Sequence, residues 1–200
     1  MTLRRPTSLS LAVLAAAAVL VTGCTPAATP GSTPAPLNAS VQGQGTVIQM
    51  GDSAPEFCLG GIAESYPPQC SGPELVGWNW DTAEGHETVG DVTWGTYAVM
   101  GTWDGSRLTV SEAIQLALYD PMPFVDPLLD PEKAGTTAQG DLEAVLGDIV
   151  NDSPAEILIA FIENGYVFAT VVFDDGSIQA WADATYGAGV VAIRPALRIA

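Results

Sequence analysis

The sequence predicts an α+β protein, in which a small N-terminal β-barrel or sandwich precedes a small C-terminal domain of α-β-β-α-β order. Short strand-like runs at near-even spacing fill residues 41–120, which is typical of an all-β unit. Four prolines in residues 121–131 exclude regular structure and mark a linker. Residues 132–200 combine helical periodicity with a hairpin signal. The alternative is a single domain of about 160 residues with the proline-rich stretch draped over it.

The first domain consists of alternating or apolar runs separated by turn residues. The predicted strands lie in the runs TVIQM, EFCLG, LVGWNW, TWGTYAVMGTW and RLTV. Asp104-Gly105 stands between two such runs and predicts a β-hairpin. The run SEAIQLAL, which follows the last strand, is interpreted as a short helix. Strands of this length and spacing favour a partly open, OB-like barrel.

The second domain begins with a helix. Its apolar residues recur at helical spacing, at Leu142, Val145, Leu146 and Ile149. Two strands, 156–163 and 166–173, flank Asn164-Gly165, a pair that favours a type I′ hairpin turn. A second helix is predicted to end at Gly187, and the run GVVAIRPAL forms the last strand. This order predicts a two-layer unit with the helices on one face of a small sheet.

Residues 1–23 have the pattern of a secretory signal peptide. Two arginines precede an apolar run that is shorter than the roughly 20 residues of a membrane-spanning helix. The segment Val21-Thr22-Gly23-Cys24 resembles the lipobox of bacterial lipoproteins, which implies cleavage before Cys24 and acylation of its thiol. Residues 24–40 are rich in proline and threonine and predict a tether. We therefore expect a lipid-anchored protein on the extracytoplasmic side of the cell membrane.

The chain is strongly acidic, with a formal net charge of -17. Removal of residues 1–23 takes away two arginines and leaves four basic against 23 acidic side chains, a net charge of -19. A nucleic-acid partner is disfavoured because phosphate contacts need clustered lysine and arginine. An anionic membrane surface would also repel the folded part, so the expected link to the membrane is the lipid on Cys24. The other expected partner is a protein or a small ligand of unknown identity.

Three cysteines define the expected covalent chemistry. If Cys24 carries lipid, Cys58 and Cys70 remain as a pair in a compartment that permits disulfides, and we expect them to bridge. Zinc would need further ligands at a recognisable spacing, and the one histidine, His86, stands without a neighbouring cysteine. No metal site and no cofactor are expected.

Aromatic residues are concentrated in the first domain. The candidate binding face consists of Tyr66, Trp78, Trp80, Trp94 and Trp103. Trp78 and Trp80 would share a face as alternate residues of a strand, and exposed rings of this kind stack on sugars or other flat ligands. Packing into the core is the commoner role for such side chains.

No catalytic constellation is evident in the sequence. Gly51-Asp52-Ser53 resembles the first block of GDS-type esterases, but no histidine follows His86 to activate the serine. We therefore favour a non-catalytic extracytoplasmic interaction module. The alternatives are a lipoprotein that binds a small ligand on the aromatic face, and a wall hydrolase built from two carboxylates.

The segment CLGGIAESYPPQCSGPELVGWNW, together with WGTYAVMGTWDG, resembles a group of uncharacterised secreted proteins and lipoproteins of high-GC Gram-positive bacteria. The shared pattern covers roughly Gly45 to Val110. The resemblance implies export and a disulfide that closes residues 58–70, the cysteine loop. It implies no activity, substrate or catalytic residue.

Overall fold

The computed structural model describes residues 38–120 and 125–200. The predicted signal peptide, Cys24, the tether up to residue 37 and residues 121–124 of the predicted linker lie outside this range. Within it, none of the helices has the length and apolar character needed to cross a membrane.

The described residues form a mixed α/β structure with ten strands and two α-helices. The strands are β1 (Ala39–Met50), β2 (Glu56–Cys58), β3 (Leu75–Val76), β4 (Glu87–Val89), β5 (Val92–Trp103), β6 (Leu108–Gln115), β7 (Ile159–Glu163), β8 (Tyr166–Val171), β9 (Val191–Pro195) and β10 (Arg198–Ile199). The helices are α1 (Gln139–Asp152) and α2 (Ser177–Tyr186), and three short 3₁₀ turns cover Leu116–Leu118, Pro127–Leu129 and Pro131–Lys133.

Seven strands form one nearly closed, barrel-like sheet. Its main path has the order β10-β1-β5-β6-β3, while β2 pairs with β1 and β4 pairs with β5. β1 and β5 are its two longest strands, and they pair antiparallel along their full length, from Ala39 opposite Trp103 to Met50 opposite Val92. β1 begins at Ala39, so the last two residues of the segment 24–40, which the sequence predicts as a tether, belong to this strand. The OB-like topology stays a prediction.

The inner face of this sheet holds the larger core. Alternate residues of β1 and β5 point inward, and the buried inward residues include Val41, Val47, Tyr97, Val99 and Trp103.

Three further strands form a separate sheet of order β7-β8-β9, which carries the second core. β7 and β8 are an antiparallel hairpin, and β8 and β9 are parallel. Asn164 and Gly165 both have positive φ angles, 48° and 80°, as the predicted type I′ turn requires. Leu142 and Ile149 of α1 and Ile178 of α2 pack with one face of this sheet, so helices cover a single face, as predicted.

The C-terminal residues also take part in the barrel-like sheet, which the sequence did not predict. β10 pairs with the start of β1, and the fully buried Leu197 packs in the barrel core with Val172 and Phe173 beside it. Gly43 leaves the room that Leu197 needs, because a Cβ on this glycine would lie 2.8 Å from the leucine side chain. The two halves of the chain therefore share packing, and the predicted domain boundary stays a prediction.

The described part of the proline-rich segment, residues 125–131, lies against the second sheet, on the face opposite the helices. Arg194 of β9 forms an ion pair with Asp126, and the Asn164 side chain donates hydrogen bonds to the carbonyl oxygens of Leu128 and Asp130. Partial burial raises the pKa of Asp126, but hydrogen bonds from Arg194 and the Leu128 N–H outweigh it and hold the pKa below its usual value. The segment is thus bound to the sheet at both ends of the described part.

Two local predictions are wrong. The run SEAIQLAL is not a helix, since β6 extends to Gln115 and only Leu116–Leu118 turns into a 3₁₀ helix. β6 pairs with β5 from Leu108 to Gln115, apart from an irregularity at Ser111, and this pairing overrides the local helical propensity. The run LVGWNW is a strand only at Leu75–Val76, because Gly77 takes a positive φ of 81° that turns the chain out of the sheet.

Candidate functional site

The predicted aromatic face is divided among three places. Trp78 and Trp80 pack edge to face, with ring centroids 5.2 Å apart, and Trp78 also contacts Tyr97 at 4.9 Å. Trp80 Nε1 donates a hydrogen bond of 2.6 Å to Gln49 Oε1. Both tryptophans are half-buried and pack against the barrel core, so they help to close its inner face. His86 rests beside Trp80, and its Nδ1 donates to the Ala83 carbonyl oxygen.

Trp94 lies on the outer face of the same sheet, beneath the cysteine loop, and Tyr66 is part of that loop. Trp94 is 8% exposed and packs with Ile48 and Cys58. The ring of Tyr66 meets Trp94 edge to face at 5.3 Å, and its hydroxyl donates to Glu87. This hydrogen bond raises the pKa of Tyr66. Tyr66 covers the buried Trp94 and is itself 71% exposed.

Trp103 stands apart from the other four residues, at the end of β5. It is 7% exposed, and its ring centroid lies 6.5 Å from that of Phe173. The structure therefore brings Trp78 together with Trp80, and Tyr66 together with Trp94, but it does not place all five side chains on one surface.

The predicted disulfide is present. Cys58 and Cys70 are bonded, with their Cα atoms 5.9 Å apart. Cys58 belongs to β2 and Cys70 packs against Trp94 and Ile48, so the bond fixes the loop over the outer face of β1 and β5. The loop is thus a stapled surface feature.

The second sheet offers a different surface, the unpaired edge of β7. β7 is the first strand of the order β7-β8-β9 and pairs with β8 alone among the described residues. The two-residue turn makes Glu163 and Tyr166 a hydrogen-bonded pair, so the next pair, Ile162 and Val167, is not hydrogen-bonded. Val167 accordingly donates its N–H to the Val190 carbonyl oxygen on the other side. The backbone groups of Ile162, and of Ala160 two residues before it, therefore point to the open edge.

Apolar side chains accompany this open edge. Ile159 and Phe161 are each 44% exposed, on the face opposite the helices. Phe161 stacks on the buried Phe168 of β8, with ring centroids 5.3 Å apart and an interplanar angle of 13°. An open backbone edge next to exposed apolar residues is the combination that accepts an added strand.

The other edge of the same sheet is closed. The side chain of Gln179, on α2, accepts a hydrogen bond from the Ile193 N–H at 2.9 Å and donates one to the Val191 carbonyl oxygen at 3.0 Å. These are the outward groups of β9, so the glutamine amide takes the place that a further strand would occupy. By contrast, β7 is the open edge of this sheet among the described residues.

Replacing Gln179 by alanine is expected to lower the free energy of unfolding by about 2 kcal/mol, because it leaves two backbone groups of buried residues without a partner. Urea unfolding followed by circular dichroism measures the change. Asp183→Ala is the matched control, since it removes only the contact between Gln179 and Asp183 and leaves both edge bonds in place. An equal loss in both variants would show that the edge bonds contribute nothing.

The part of the chain that carries β7 is acidic as a whole. Residues 125–200 carry 12 acidic and three basic side chains, and one of the three, Arg194, is paired with Asp126. Glu163 stands on β7 itself and is exposed. The surface therefore attracts cationic chains and repels anionic ones.

Ile159, Phe161 and Gln179 are not among the site residues that the sequence predicts. A signal for the strand was present, since Leu158 to Ile162 is an unbroken apolar run, whereas a strand covered on one face alternates. No comparable signal marks Gln179, whose role depends on the position of α2. The chain matches no protein-family model, no curated protein and no solved structure.

Proposed function

We propose that the protein is a non-catalytic extracytoplasmic interaction module that is anchored to the membrane by lipid on Cys24 and binds an extended, basic segment of a partner protein along β7. The observation that supports this function is the open edge of β7 beside the exposed Ile159 and Phe161, in a sheet whose other edge is closed by Gln179. The partner would add a fourth strand to the sheet.

Strand addition suits the geometry of the edge. The outward N–H and C=O groups of Ala160 and Ile162 provide main-chain hydrogen bonds, which give affinity without regard to sequence. Alternate side chains of the added strand would lie beside Ile159 and Phe161, and this contact selects apolar residues at every second position. An alternating basic and apolar segment meets both requirements.

Charge distinguishes a basic partner from a second copy of the same chain. Each copy carries a net charge of -17, or -19 after loss of residues 1–23, so two β7 edges would approach against strong repulsion. A cationic segment gains from the same field. The alternative of a small ligand on Trp78, Trp80 or Trp94 has less support, because these rings pack into the core or beneath the cysteine loop.

Synthetic strand peptides test the proposed function. We expect an eight-residue peptide of alternating lysine and valine to bind the folded protein at least tenfold more tightly than the glutamate and valine counterpart. N-methylation of alternate residues on one edge should abolish binding, because it removes the main-chain donors. Fluorescence anisotropy of labelled peptides gives the dissociation constants, and added salt should weaken binding of the basic peptide.

Two variants of Ala160 provide the matched control. Ala160→Pro removes an outward N–H that the β8 pairing does not use, a position at which edge strands tolerate proline. We expect it to weaken binding of the basic peptide at least tenfold, while Ala160→Ser, which keeps the N–H, binds as the unchanged protein does. Equal binding by the two variants would contradict strand addition, and equal affinity for the acidic and basic peptides would contradict a basic partner.

The proposed anchoring has its own test. Cys24→Ala is expected to move the protein from the membrane fraction to the soluble extracytoplasmic fraction or to leave it unprocessed, because no thiol remains to be acylated. Fractionation with mass spectrometry of the mature N-terminus measures the outcome. Unchanged membrane retention and unchanged mature mass in the variant would overturn the lipid anchor and leave the β7 edge untouched.

A further inference from the structure

A cavity of about 320 Å³ lies between the end of the β5–β6 hairpin and the start of α2. Its apolar wall consists of Trp103, Val172, Phe173 and Ile178. Trp103 and Ile178 are buried, at 7% and 8% exposed, so they are fixed parts of the wall. The volume falls within the range of sites that hold small organic molecules, roughly 300–1,000 Å³.

The rim of the cavity is acidic, and none of the described residues that line it is basic. Glu156, Asp174 and Asp175 contribute three carboxyl groups. Asp174 accepts hydrogen bonds from the backbone N–H groups of Gly176 and Ile178, so its charge is directed at the first turn of α2 and offsets the positive end of that helix. Asp175 accepts one backbone hydrogen bond from this turn, from the Ser177 N–H to its Oδ1, and Glu156 accepts none, so these two residues supply most of the negative charge that faces a ligand.

Asp175 is held in its ionised form. Hydrogen bonds from the side chain and the backbone N–H of Ser177 lower the pKa of this carboxyl below its usual value. Glu156 is exposed and has no hydrogen-bond partner among the described residues, which leaves its carboxylate available to a ligand.

We infer that this cavity binds a small organic cation with an apolar body, whose ammonium group lies at the Glu156 and Asp175 rim and whose body packs against Trp103 and Phe173. The two carboxylates satisfy the charge, and the aromatic rings remove the apolar part from water and attract the cation through their electron-rich faces. An anion of the same shape is repelled by the rim. The site is separate from the β7 edge, and it does not depend on strand addition.

Three small probes of nearly equal size separate charge from shape. They are 2-phenylethylammonium, 2-phenylethanol and phenylacetate. Isothermal titration calorimetry is expected to show the ammonium compound binding at least tenfold more tightly than the alcohol, with phenylacetate weakest. Magnetisation transfer between the phenyl protons and the Trp103 indole, observed by NMR, should place the probe in the cavity.

Substitutions at the rim and the wall complete the test. Glu156→Gln combined with Asp175→Asn should reduce the affinity for the ammonium compound to that for the alcohol. The affinity for the alcohol should not change. The control pair Glu112→Gln and Asp141→Asn changes the net charge equally outside the cavity lining and should leave both affinities unchanged. Ala155→Phe, which fills the cavity from its wall, should abolish binding of both compounds in a protein that still melts cooperatively. Equal affinities for the ammonium compound and the alcohol, or no binding of either, would overturn the inference.

Discussion

Leu197→Ala is expected to lower the free energy of unfolding by about 3 kcal/mol, since truncation of a fully buried leucine removes its transfer free energy and leaves a cavity. The effect is large because Leu197, three positions before Ala200, packs inside the barrel-like sheet. The Leu197 N–H also donates a hydrogen bond to the Val172 carbonyl oxygen, which fixes the connection between β9 and β10. Guanidinium unfolding followed by tryptophan fluorescence measures the loss.

Ile199→Ala is the matched control for Leu197→Ala. Ile199 is 55% exposed in β10, so its truncation should change the free energy of unfolding by less than about 0.5 kcal/mol. A loss of similar size in both variants would mean that Leu197 is not a core residue. A transition that splits in two in Leu197→Ala would show that the halves of the chain unfold separately despite their shared packing.

Removal of the disulfide is expected to have an effect of similar size. Cys58→Ala combined with Cys70→Ala should cost about 3 kcal/mol of stability, since the bond closes a loop over a sequence separation of 12 residues and thereby constrains the unfolded chain. The loop also covers Trp94, so the variant should show red-shifted fluorescence from a more exposed indole. Thermal unfolding and fluorescence emission provide the two measurements.

Chemical reduction is the control for the cysteine variant. The unchanged protein in a reducing agent should lose the same stability, because the bond and not the alanine side chains is responsible. Unaltered stability in both experiments would show that the loop is held by its packing alone. A free thiol at either position in the untreated protein would contradict the bond itself.

Much of the fold could be predicted from local patterns. The Asn164-Gly165 turn needs positive φ at both positions, and this local requirement located the β7–β8 hairpin. The spacing of apolar residues located α1 and α2. With Cys24 assigned to the lipid, Cys58 and Cys70 were left as the pair that forms the disulfide. These features depend on residues that are close in sequence or of a rare type.

Predictions failed where tertiary contacts decide the outcome. The run SEAIQLAL has helical residues, but pairing with β5 makes most of it a strand. The five aromatic residues of the predicted binding face looked alike in sequence, yet the barrel places Trp103 and Trp94 on opposite faces of one strand. The contributions of Leu197 and Gln179 depend on where β10 and α2 dock, which no local pattern specifies.

Amide hydrogen exchange along β7, with and without the lysine and valine peptide, tests strand addition most directly. The free protein should show slow exchange at Ile159, Phe161 and Glu163, whose amides face β8, and fast exchange at Ala160 and Ile162, whose amides face the open edge. We predict that the peptide slows exchange at Ala160 and Ile162 at least tenfold and changes the other three little. Peptide binding without protection of these two amides would contradict strand addition at β7.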